Sequence, residues 1–122
     1  MAYLNDEVFD QGLDYATTNG TRIDICSQEP TTYAEATSTY TLGNKTSATV
    51  GATEAGDVNG RKVVVAAVTD GSVTGTGTAS HYAITDAASI LVATGSLSAS
   101  QAVTSGNTFT LAAFDLAIAD AT

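Results

Sequence analysis

The last part of the chain, residues 77–119, is a nearly continuous series of short β-strand patterns, and this series constrains the fold more than any other feature. Polar and apolar residues alternate in three runs, 78–85, 89–94 and 108–111. A period of two predicts half-buried strands. Short polar or glycine-containing segments separate the runs, among them Gly95. None carries a constellation of catalytic residues, so the pattern predicts a β-domain and indicates no chemistry of its own.

The length and composition of the chain predict one domain, residues 1–122. A chain of 122 residues buries roughly two thirds of the surface that it exposes when unfolded. Hydrophobic residues make up 43% of the sequence, which excludes wholesale disorder. Charged residues make up only 14%, against about 25% in typical soluble domains. Much of the remaining polarity comes from Thr, whose stiff, β-branched side chain favours sheets.

The charge balance is strongly acidic: 4 Lys and Arg face 13 Asp and Glu, which gives a net charge of −9. Such a chain repels phosphate backbones and anionic lipid headgroups, so we expect neither a nucleic-acid nor a membrane partner. The one adjacent basic pair, Arg61 and Lys62, is expected to decorate a turn. The first residues are acidic and no apolar signal segment follows, so we expect synthesis in a cytoplasm without an export signal.

Apolar residues near the N-terminus recur every three to five positions, which is the spacing of one face of an amphipathic helix. They are Leu4, Val8, Phe9, Gly12, Leu13 and Ala16. Asn5 or Asp6 can cap the start of this helix, and Asn19-Gly20 ends it. The chain is thus divided into a helical segment, 1–19, and a β-sandwich, 20–122.

The opposite face of the predicted helix is acidic. Its carboxylates are Asp6, Glu7, Asp10 and Asp14. Acidic residues early in a helix suit its positive N-terminal end. A calcium site is the functional alternative, but the spacing lacks the Asp-x-Asp-x-Asp-Gly pattern of a calcium-binding loop. We therefore expect a solvated face and no metal.

Further strand patterns lie between the helix and the C-terminal series. Alternation predicts strands at residues 21–26 and 45–50, and residues 31–42 are ambiguous between a loop and an edge strand. The unbroken apolar run 63–68 predicts a strand that is covered on both faces.

Turn signals separate these strands, and they complete the fold prediction. Gly43-Asn44 and Asn59-Gly60 are dipeptides typical of tight turns, and the glycines in residues 73–78 predict a bend or bulge. Seven or eight short strands after one helix favour a mainly β fold. The predicted architecture is an antiparallel β-sandwich or partly open barrel with one N-terminal α-helix.

Side chains with catalytic or metal-binding potential are few. Cys26 is the only cysteine, so no intramolecular disulfide is possible, and its apolar neighbours predict a buried thiol. His81 is the only histidine, and no Ser or Cys lies in an exposed nucleophile turn beside it. One His and one Cys cannot hold a structural zinc ion. We expect a protein that is not an enzyme and has no catalytic residues, metal or cofactor.

Carboxylates are the remaining candidates for catalysis, since a pair of them could act in glycoside hydrolysis. The four that fall at predicted strand ends or turns are Asp24, Asp70, Asp86 and Asp115. Asp at such positions commonly hydrogen-bonds to nearby backbone, so we expect turn-forming side chains. A small hydrolase built on these residues and His81 is the least favoured functional hypothesis.

A series of different short motifs covers nearly the whole chain in a fixed order. They are Thr21-Arg22-Ile23, Glu29-Pro30-Thr31, Gly60-Arg61-Lys62-Val63-Val64-Val65, Ser80-His81-Tyr82-Ala83-Ile84-Thr85-Asp86, Ala93-Thr94-Gly95-Ser96-Leu97 and Ser105-Gly106-Asn107-Thr108-Phe109-Thr110-Leu111. In this order, after an N-terminal helix, they resemble a group of small β-rich structural proteins of tailed bacteriophages. The specificity lies in the order and spacing of the motifs.

The resemblance implies a non-enzymatic part of a virion that is present in many copies. The main hypothesis is a capsid decoration or cement protein, with the major capsid protein and copies of itself as partners; trimers at threefold points of the shell would fit. The candidate interface lies on the N-terminal segment and the valine-rich strand. Its residues are Leu4, Val8, Phe9, Leu13 and Val64.

The alternative hypothesis is a tail, baseplate or fibre-associated β-domain that contacts the host surface. Aromatic rings bind the apolar face of a sugar, so the candidate recognition residues are Tyr33, Tyr40 and Tyr82. Packing inside the domain is the structural alternative for these rings.

Overall fold

A computed structural model of the chain describes residues 5–58 and 60–118. Its elements are α1 (Asp6–Asn19), β1 (Arg22–Cys26), a π-helical turn (Glu35–Thr39), β2 (Thr41–Thr46), β3 (Glu54–Ala55), β4 (Arg61–Val65), β5 (Val68–Val73), β6 (Gly77–Thr85), β7 (Leu91–Val103), β8 (Thr108–Leu111) and β9 (Phe114–Ile118). The predicted fold class is confirmed for these residues: the protein is mainly β, with an N-terminal helix, a curled antiparallel sheet that forms half a barrel, and a small second sheet.

Helix α1 begins and ends where its capping residues predict. The Asn5 side chain accepts a hydrogen bond from the backbone N–H of Glu7 at 2.8 Å, which satisfies a donor of the first turn. At the other end the backbone N–H of Gly20 donates to the Ala16 carbonyl. A β-carbon on residue 20 would lie 2.6 Å from that carbonyl oxygen, so this exit from the helix requires glycine. No helix in the described residues is long and apolar enough to cross a membrane.

In the described parts of the chain the half-barrel has the strand order β7-β6-β1-β2-β5-β8, and the second sheet has the order β3-β4-β9. All pairings are antiparallel. In the centre of the large sheet, Ile23 of β1 lies opposite Lys45 of β2 and Ile84 of β6. Inward side chains of both sheets and of α1 share one core. Among its buried members are Leu13, Ile23, Ile25, Val63, Val65, Ile84 and Phe109.

The apolar run 63–68 is divided between the two sheets, so the prediction of one doubly covered strand is wrong. Strand β4 ends and β5 begins on either side of Ala66 and Ala67, which are exposed. Within β4, Val64 is partly exposed while the valines on either side of it are fully buried. The run is continuous because it supplies core residues to two sheets in succession at the corner between them.

The ambiguous segment 31–42 contains the π-helical turn and the start of β2. The backbone N–H of Tyr40 donates to the Glu35 carbonyl at 2.9 Å, which is the i to i+5 spacing of a π-helix. The segment covers the outer face of the half-barrel, where Ala36 and Cys26 form a second small cluster. The central strand β1 is therefore buried on both faces, from residue 23 to residue 26.

Two predicted breaks between strands are wrong, because the glycines lie inside strands. Gly43 is in β2 and Gly95 is in β7. A β-carbon on Gly95 would overlap the ring of Tyr82, which is its cross-strand partner in β6. These glycines make room for a neighbouring strand or ring rather than for a turn. At the predicted turn before β4, Gly60 has a φ of +73°, and Asn59 lies outside the described residues.

Candidate functional site

The predicted interface on α1 is largely used by the fold itself. Phe9 and Leu13 are only 2% and 6% exposed, so their assignment to a partner surface is corrected. An amphipathic helix beside a sheet buries its apolar stripe in its own domain. Val64 is partly exposed and Val8 is 54% exposed, whereas Leu4 lies outside the described residues.

Val8 lies on a second stripe of α1 that faces outwards. It is followed at helical spacing by Gly12 and Tyr15, and Tyr15 is 46% exposed. The stripe continues onto β9, because a β-carbon on Gly12 would lie 3.8 Å from Cδ1 of Ile118. We call Val8, Gly12, Tyr15 and Ile118 the helix patch. Exposed apolar side chains on one face of a helix can form a contact surface.

A cleft follows the unpaired edge of β7. Residues 92–104 border it on one side and residues 107–117 on the other, and we call it the edge cleft. It consists of cavities of about 360 Å³ beside α1, about 630 Å³ in the middle and about 360 Å³ beside β8. In the middle cavity the rings of Tyr82 and Phe114 pack at a centroid distance of 4.3 Å. Burial raises the pKa of the Tyr82 hydroxyl, so it stays protonated at neutral pH.

The structure does not bring the three predicted recognition tyrosines together. Tyr82 packs against the main core inside the half-barrel, and Tyr40 packs against the cluster around Cys26. Successive residues of a strand point to opposite faces, and Tyr82 is followed by Ala83 of that second cluster. Tyr33 and Tyr40 flank the outer segment, so the three rings cannot form one sugar-binding platform.

Each of the basic side chains of the chain contacts a carboxylate. The pairs are Arg22 with Asp24, Lys45 with Asp70, Arg61 with Asp10, and Lys62 with Asp57, Asp115 and Glu54. All four cations lie in the described residues, so the whole positive charge of Lys and Arg is used within the fold. The excess of carboxylates gives the outer surface its negative charge.

Arg61 and Lys62 lie in β4, so the prediction that they decorate a turn is wrong. Nε of Arg61 lies 2.8 Å from Oδ1 of Asp10 and ties α1 to the small sheet. Nζ of Lys62 lies 2.6 Å from Asp57 and 3.2 Å from Asp115 of β9. The hydrogen bond to Asp57 is the largest cause of the raised pKa of Lys62. Both cations therefore hold elements of the fold together.

The most deeply buried charge belongs to Asp24, in the middle of β1 and 0% exposed. Arg22 meets it with two hydrogen bonds, from Nε at 2.8 Å and from Nη2 at 2.9 Å. The hydroxyl of Thr41 donates to the same carboxylate at 2.7 Å. The hydrogen bond to Asp24 is also the main reason why the pKa of Arg22 is raised. This paired arrangement is what allows a carboxylate to remain inside a protein.

The prediction of a buried thiol is confirmed for Cys26, which is 0% exposed. Its Sγ donates to the Ala36 carbonyl at 3.6 Å. Burial, with a smaller contribution from Asp24, raises the pKa of the thiol to about 12. Since the thiolate is the reactive form, Cys26 is inert as a nucleophile at neutral pH.

His81 lies in a chain of hydrogen bonds that resembles a catalytic relay. The Ser80 hydroxyl donates to the Ser27 carbonyl at 3.0 Å and contacts Nδ1 of His81 at 2.8 Å. Because a hydroxyl has one proton, we assign the ring proton to Nδ1, which leaves Nε2 to accept from Ser96 at 3.4 Å. Glu29 lies 3.9 Å from Nε2, not beside Nδ1 where the carboxylate of a triad orients the ring. The chain of contacts links strands but lacks that orienting carboxylate.

Of the aspartates predicted to form turns, Asp86 does so. Its Oδ1 accepts hydrogen bonds from the backbone N–H groups of residues 88–90 at 2.8–2.9 Å. These bonds hold the pKa of Asp86 below its ordinary value. The prediction is wrong for Asp24, Asp70 and Asp115, which lie within strands and pair with cations. Among the described residues no group of three or more His, Cys, Asp or Glu is placed to hold a metal ion.

Two features that matter for contacts were missed in the sequence. One is the buried pair on β1, for which the signal is the spacing of Arg22 and Asp24, because residues i and i+2 of a strand share a face. The other is the exposed edge of β7, for which the signal is the absence of any Asp, Glu, Lys or Arg from residue 87 to residue 114. Charge placement would have identified both.

Comparison with known proteins returned no match: no family model fits this chain, and no curated protein or solved structure is significantly similar to it.

Proposed function

We propose that this protein is a non-enzymatic structural component of a tailed-bacteriophage virion. Specifically, it is a capsid decoration or cement protein that binds the head surface in many copies and stabilises the shell. Its partners are the major capsid protein and copies of itself, and it is assembled into the virion in the cytoplasm of the bacterial host. The order of the sequence motifs supports the phage origin, and the surface of the fold supports the role in contacts.

The observation that carries the proposal is the helix patch. Val8 and Tyr15 are about half exposed, yet they stand on a helix that is fixed in place. Phe9 and Leu13 anchor α1 in the domain, and the ion pair between Arg61 and Asp10 holds it to β4. A rigid helix that presents apolar side chains loses little conformational entropy on binding, which favours a specific contact.

The charge of the domain favours a particular kind of partner surface. The chain carries a net charge of −9, and its Lys and Arg side chains are engaged in ion pairs within the fold. A partner that is apolar opposite the helix patch and basic around it would match this surface. Binding of this kind weakens as the ionic strength rises.

The proposal is tested by placing charge in the helix patch and counting the protein in particles. Val8→Glu combined with Tyr15→Glu should keep the fold, because both side chains are exposed, and should reduce the copy number per purified head at least about tenfold. The control is Thr69→Glu combined with Ser72→Glu, which adds the same charge at exposed positions of β5. Quantitative mass spectrometry of purified particles measures both variants.

Immunogold labelling of particles locates the protein independently of its copy number. Label over the head agrees with a decoration protein, whereas label at the tail tip would favour the baseplate or fibre alternative. An unchanged copy number of the helix-patch variant in purified heads would contradict the proposed contact.

A further inference from the structure

Three of the four sheet edges in the described chain border the edge cleft. The half-barrel ends at β7 and β8, and the second sheet ends at β3 and β9. Strand β7 lies on one side of the cleft, and β8 and β9 follow each other on the other side. No backbone hydrogen bond between described residues joins β7 to β8 or β9. Unpaired backbone groups of three strands therefore border one space.

The two sides of the cleft run antiparallel. Residues 101–104 border the cavity beside β8 together with residues 107–110, and residues 96–99 border the middle cavity together with residues 110–115. A turn joins the two sides, where the backbone N–H of Asn107 donates to the Thr104 carbonyl at 3.1 Å. Consecutive strands joined by a short turn usually pair with each other. Here they stay apart, and the gap between them is the open seam of the half-barrel.

The wall formed by β7 is well suited to accept a further strand. Its pairing with β6 shifts so that residues 97–100 lie opposite Ser80 alone, and a bulge of this kind leaves backbone groups without ladder partners. Proteins usually protect an unpaired edge with charged side chains or proline. Residues 87–114, which include β7 and β8, contain neither.

The floor of the cleft is a part of the main core that stays partly exposed. Partly buried hydrophobic side chains that pack against the core border the middle cavity and the cavity beside β8. They are Tyr82, Leu97, Val103, Leu111 and Phe114. An apolar side chain placed over them would leave water and extend the core. The volume of about 630 Å³ in the middle cavity lies in the range of about 300–1,000 Å³ that is typical of binding sites.

We propose that the edge cleft binds an extended, uncharged segment of a partner protein. The segment lies in the middle cavity and the cavity beside β8, as an added strand between β7 on one side and β8 with the start of β9 on the other. It thereby closes the half-barrel. In strand addition, backbone hydrogen bonds supply affinity and alternate side chains supply specificity. The inference goes beyond the proposed function and does not depend on it.

The chemistry of the cleft selects this occupant. The backbone groups of two antiparallel edges match those of a third strand along its length, whereas a compact small molecule reaches few of them. Asp115 is the one charged residue among the described residues that border these two cavities, and Lys62 pairs with it at 3.2 Å. A charge in the occupant would be buried without a partner. Outside the cleft, basic flanking residues match the net charge of −9.

The first experiment measures binding of a synthetic peptide of this kind by fluorescence anisotropy. The probe is Thr-Val-Thr-Val-Thr-Val-Thr with two lysines at each end. The control peptide has proline in place of each valine, which keeps the charge but removes backbone N–H donors along one side of the strand. We expect the probe to bind at least about tenfold more tightly than the control. Equal binding, or no binding of the probe, would overturn the inference.

A pair of chain variants shows whether the probe binds in the cleft. Ala99→Glu combined with Ala112→Glu places charge on both sides of the middle cavity, at exposed positions. This variant should bind the probe at least about tenfold more weakly, because the charges obstruct an uncharged strand. The control is Ser38→Glu combined with Thr46→Glu, at exposed positions that do not border the cleft.

The control variant fixes the sign of a general charge effect. It gains the same negative charge, so it should bind the lysine-flanked probe as tightly as the unmodified chain or more tightly. Circular dichroism shows that both variants are folded. Equal affinities of the cleft variant and the control variant would overturn the inference, because the probe would then bind elsewhere.

Hydrogen exchange locates the added strand on the backbone. The probe should slow amide exchange in residues 96–103 and 108–115, since their free N–H groups gain acceptors. Three results would overturn the inference. The probe could protect other residues only. The same amides could already be protected in the free chain, which would mean that β7 and β8 pair with each other. Protection could also rise with protein concentration alone, which would make a second copy the occupant.

The outcomes separate this inference from the proposed function. A chain that binds the probe in the cleft but is absent from particles would refute the virion proposal and leave the strand site standing. A chain that decorates heads but binds the probe no better than the proline control would refute the strand site alone.

Discussion

Strands β1 and β7 both depart from the usual placement of charged residues at the surface and uncharged residues in the core. β1 lies in the centre of the half-barrel, is covered on both faces and holds the fully buried carboxylate of Asp24. β7 lies at the edge, is exposed at residues 98–102 and has no charged side chain. Charged residues are normally outside and uncharged ones inside, so both strands need a specific reason for their composition.

The difference teaches which contacts lie within the molecule and which lie beyond it. On β1 the charge is matched inside the chain, by Arg22 and by the hydroxyl of Thr41 at the start of β2. It thereby fixes the outer segment against the sheet. On β7, residues 98–102 are exposed, carry no charge and border the edge cleft. Contacts of this strand edge therefore lie in the cleft or beyond the molecule.

The largest effect is expected from breaking the charge pair on β1. Arg22→Met keeps much of the side-chain volume but leaves the Asp24 carboxylate buried without its cation. Removal of one partner from a buried pair costs about 3–5 kcal/mol, so we expect a loss of this size in the free energy of unfolding. Chemical denaturation at neutral pH measures it.

Two controls sharpen the interpretation of that loss. Lys45→Met breaks the pair with Asp70, which is 68% exposed, and it should cost less than about 1 kcal/mol. Adding Asp24→Asn to Arg22→Met removes the uncompensated charge and should recover part of the loss. A loss that Asp24→Asn does not reduce would show that lost packing, not charge, is responsible.

The next effect concerns the covered half of β7. Gly95→Ala places a β-carbon where the Tyr82 ring lies, so the ring must move and disturb its contact with Phe114. Overpacking of this kind costs about 1–3 kcal/mol. The same substitution at Gly12, in the exposed middle of α1 with ordinary contact distances, should stabilise by up to about 1 kcal/mol. If thermal unfolding shows that Gly95→Ala destabilises the protein and Gly12→Ala stabilises it, the requirement for glycine at position 95 comes from cross-strand packing.

The sequence predicts the elements whose signals are local. Asn5 and Gly20 set the ends of α1 through contacts within a turn. The alternation around Ile23 predicts β1, and residues 108–111 form β8 as expected. In each case the pattern, the cap and the final position agree because neighbouring residues decide the conformation.

The parts that the sequence does not predict depend on distant residues. Nothing local distinguishes Ala66 and Ala67 from the valines around them, because the change of sheet is decided by strands paired elsewhere in the chain. In the sequence Gly95 is typical of a turn. Only the structure shows that the ring of Tyr82 occupies the space where a β-carbon of residue 95 would lie. The burial of Phe9 and Leu13, where a partner contact was expected, likewise follows from the small sheet that packs on α1.

A smaller effect on stability is expected from Cys26 of β1 at alkaline pH. The pKa of Cys26 is raised to about 12, above the value of about 8.5 for a thiol in an unfolded chain. Between these values the unfolded chain has lost a proton that the folded chain keeps, so the stability falls as the pH rises. Cys26→Ala should remove this contribution, and its unfolding free energy should fall less steeply over the same range. Parallel curves for the two proteins would contradict the assigned cause.

The smallest expected effect is the most informative about β7. Ser98→Lys and Ala102→Lys place charges on exposed positions, and such substitutions usually change the stability by less than about 0.5 kcal/mol. If the chain tolerates them, folding does not require the strand to be uncharged. Chemical denaturation of the double variant measures this. A loss comparable to that of Gly95→Ala would instead make the uncharged edge a requirement of the fold.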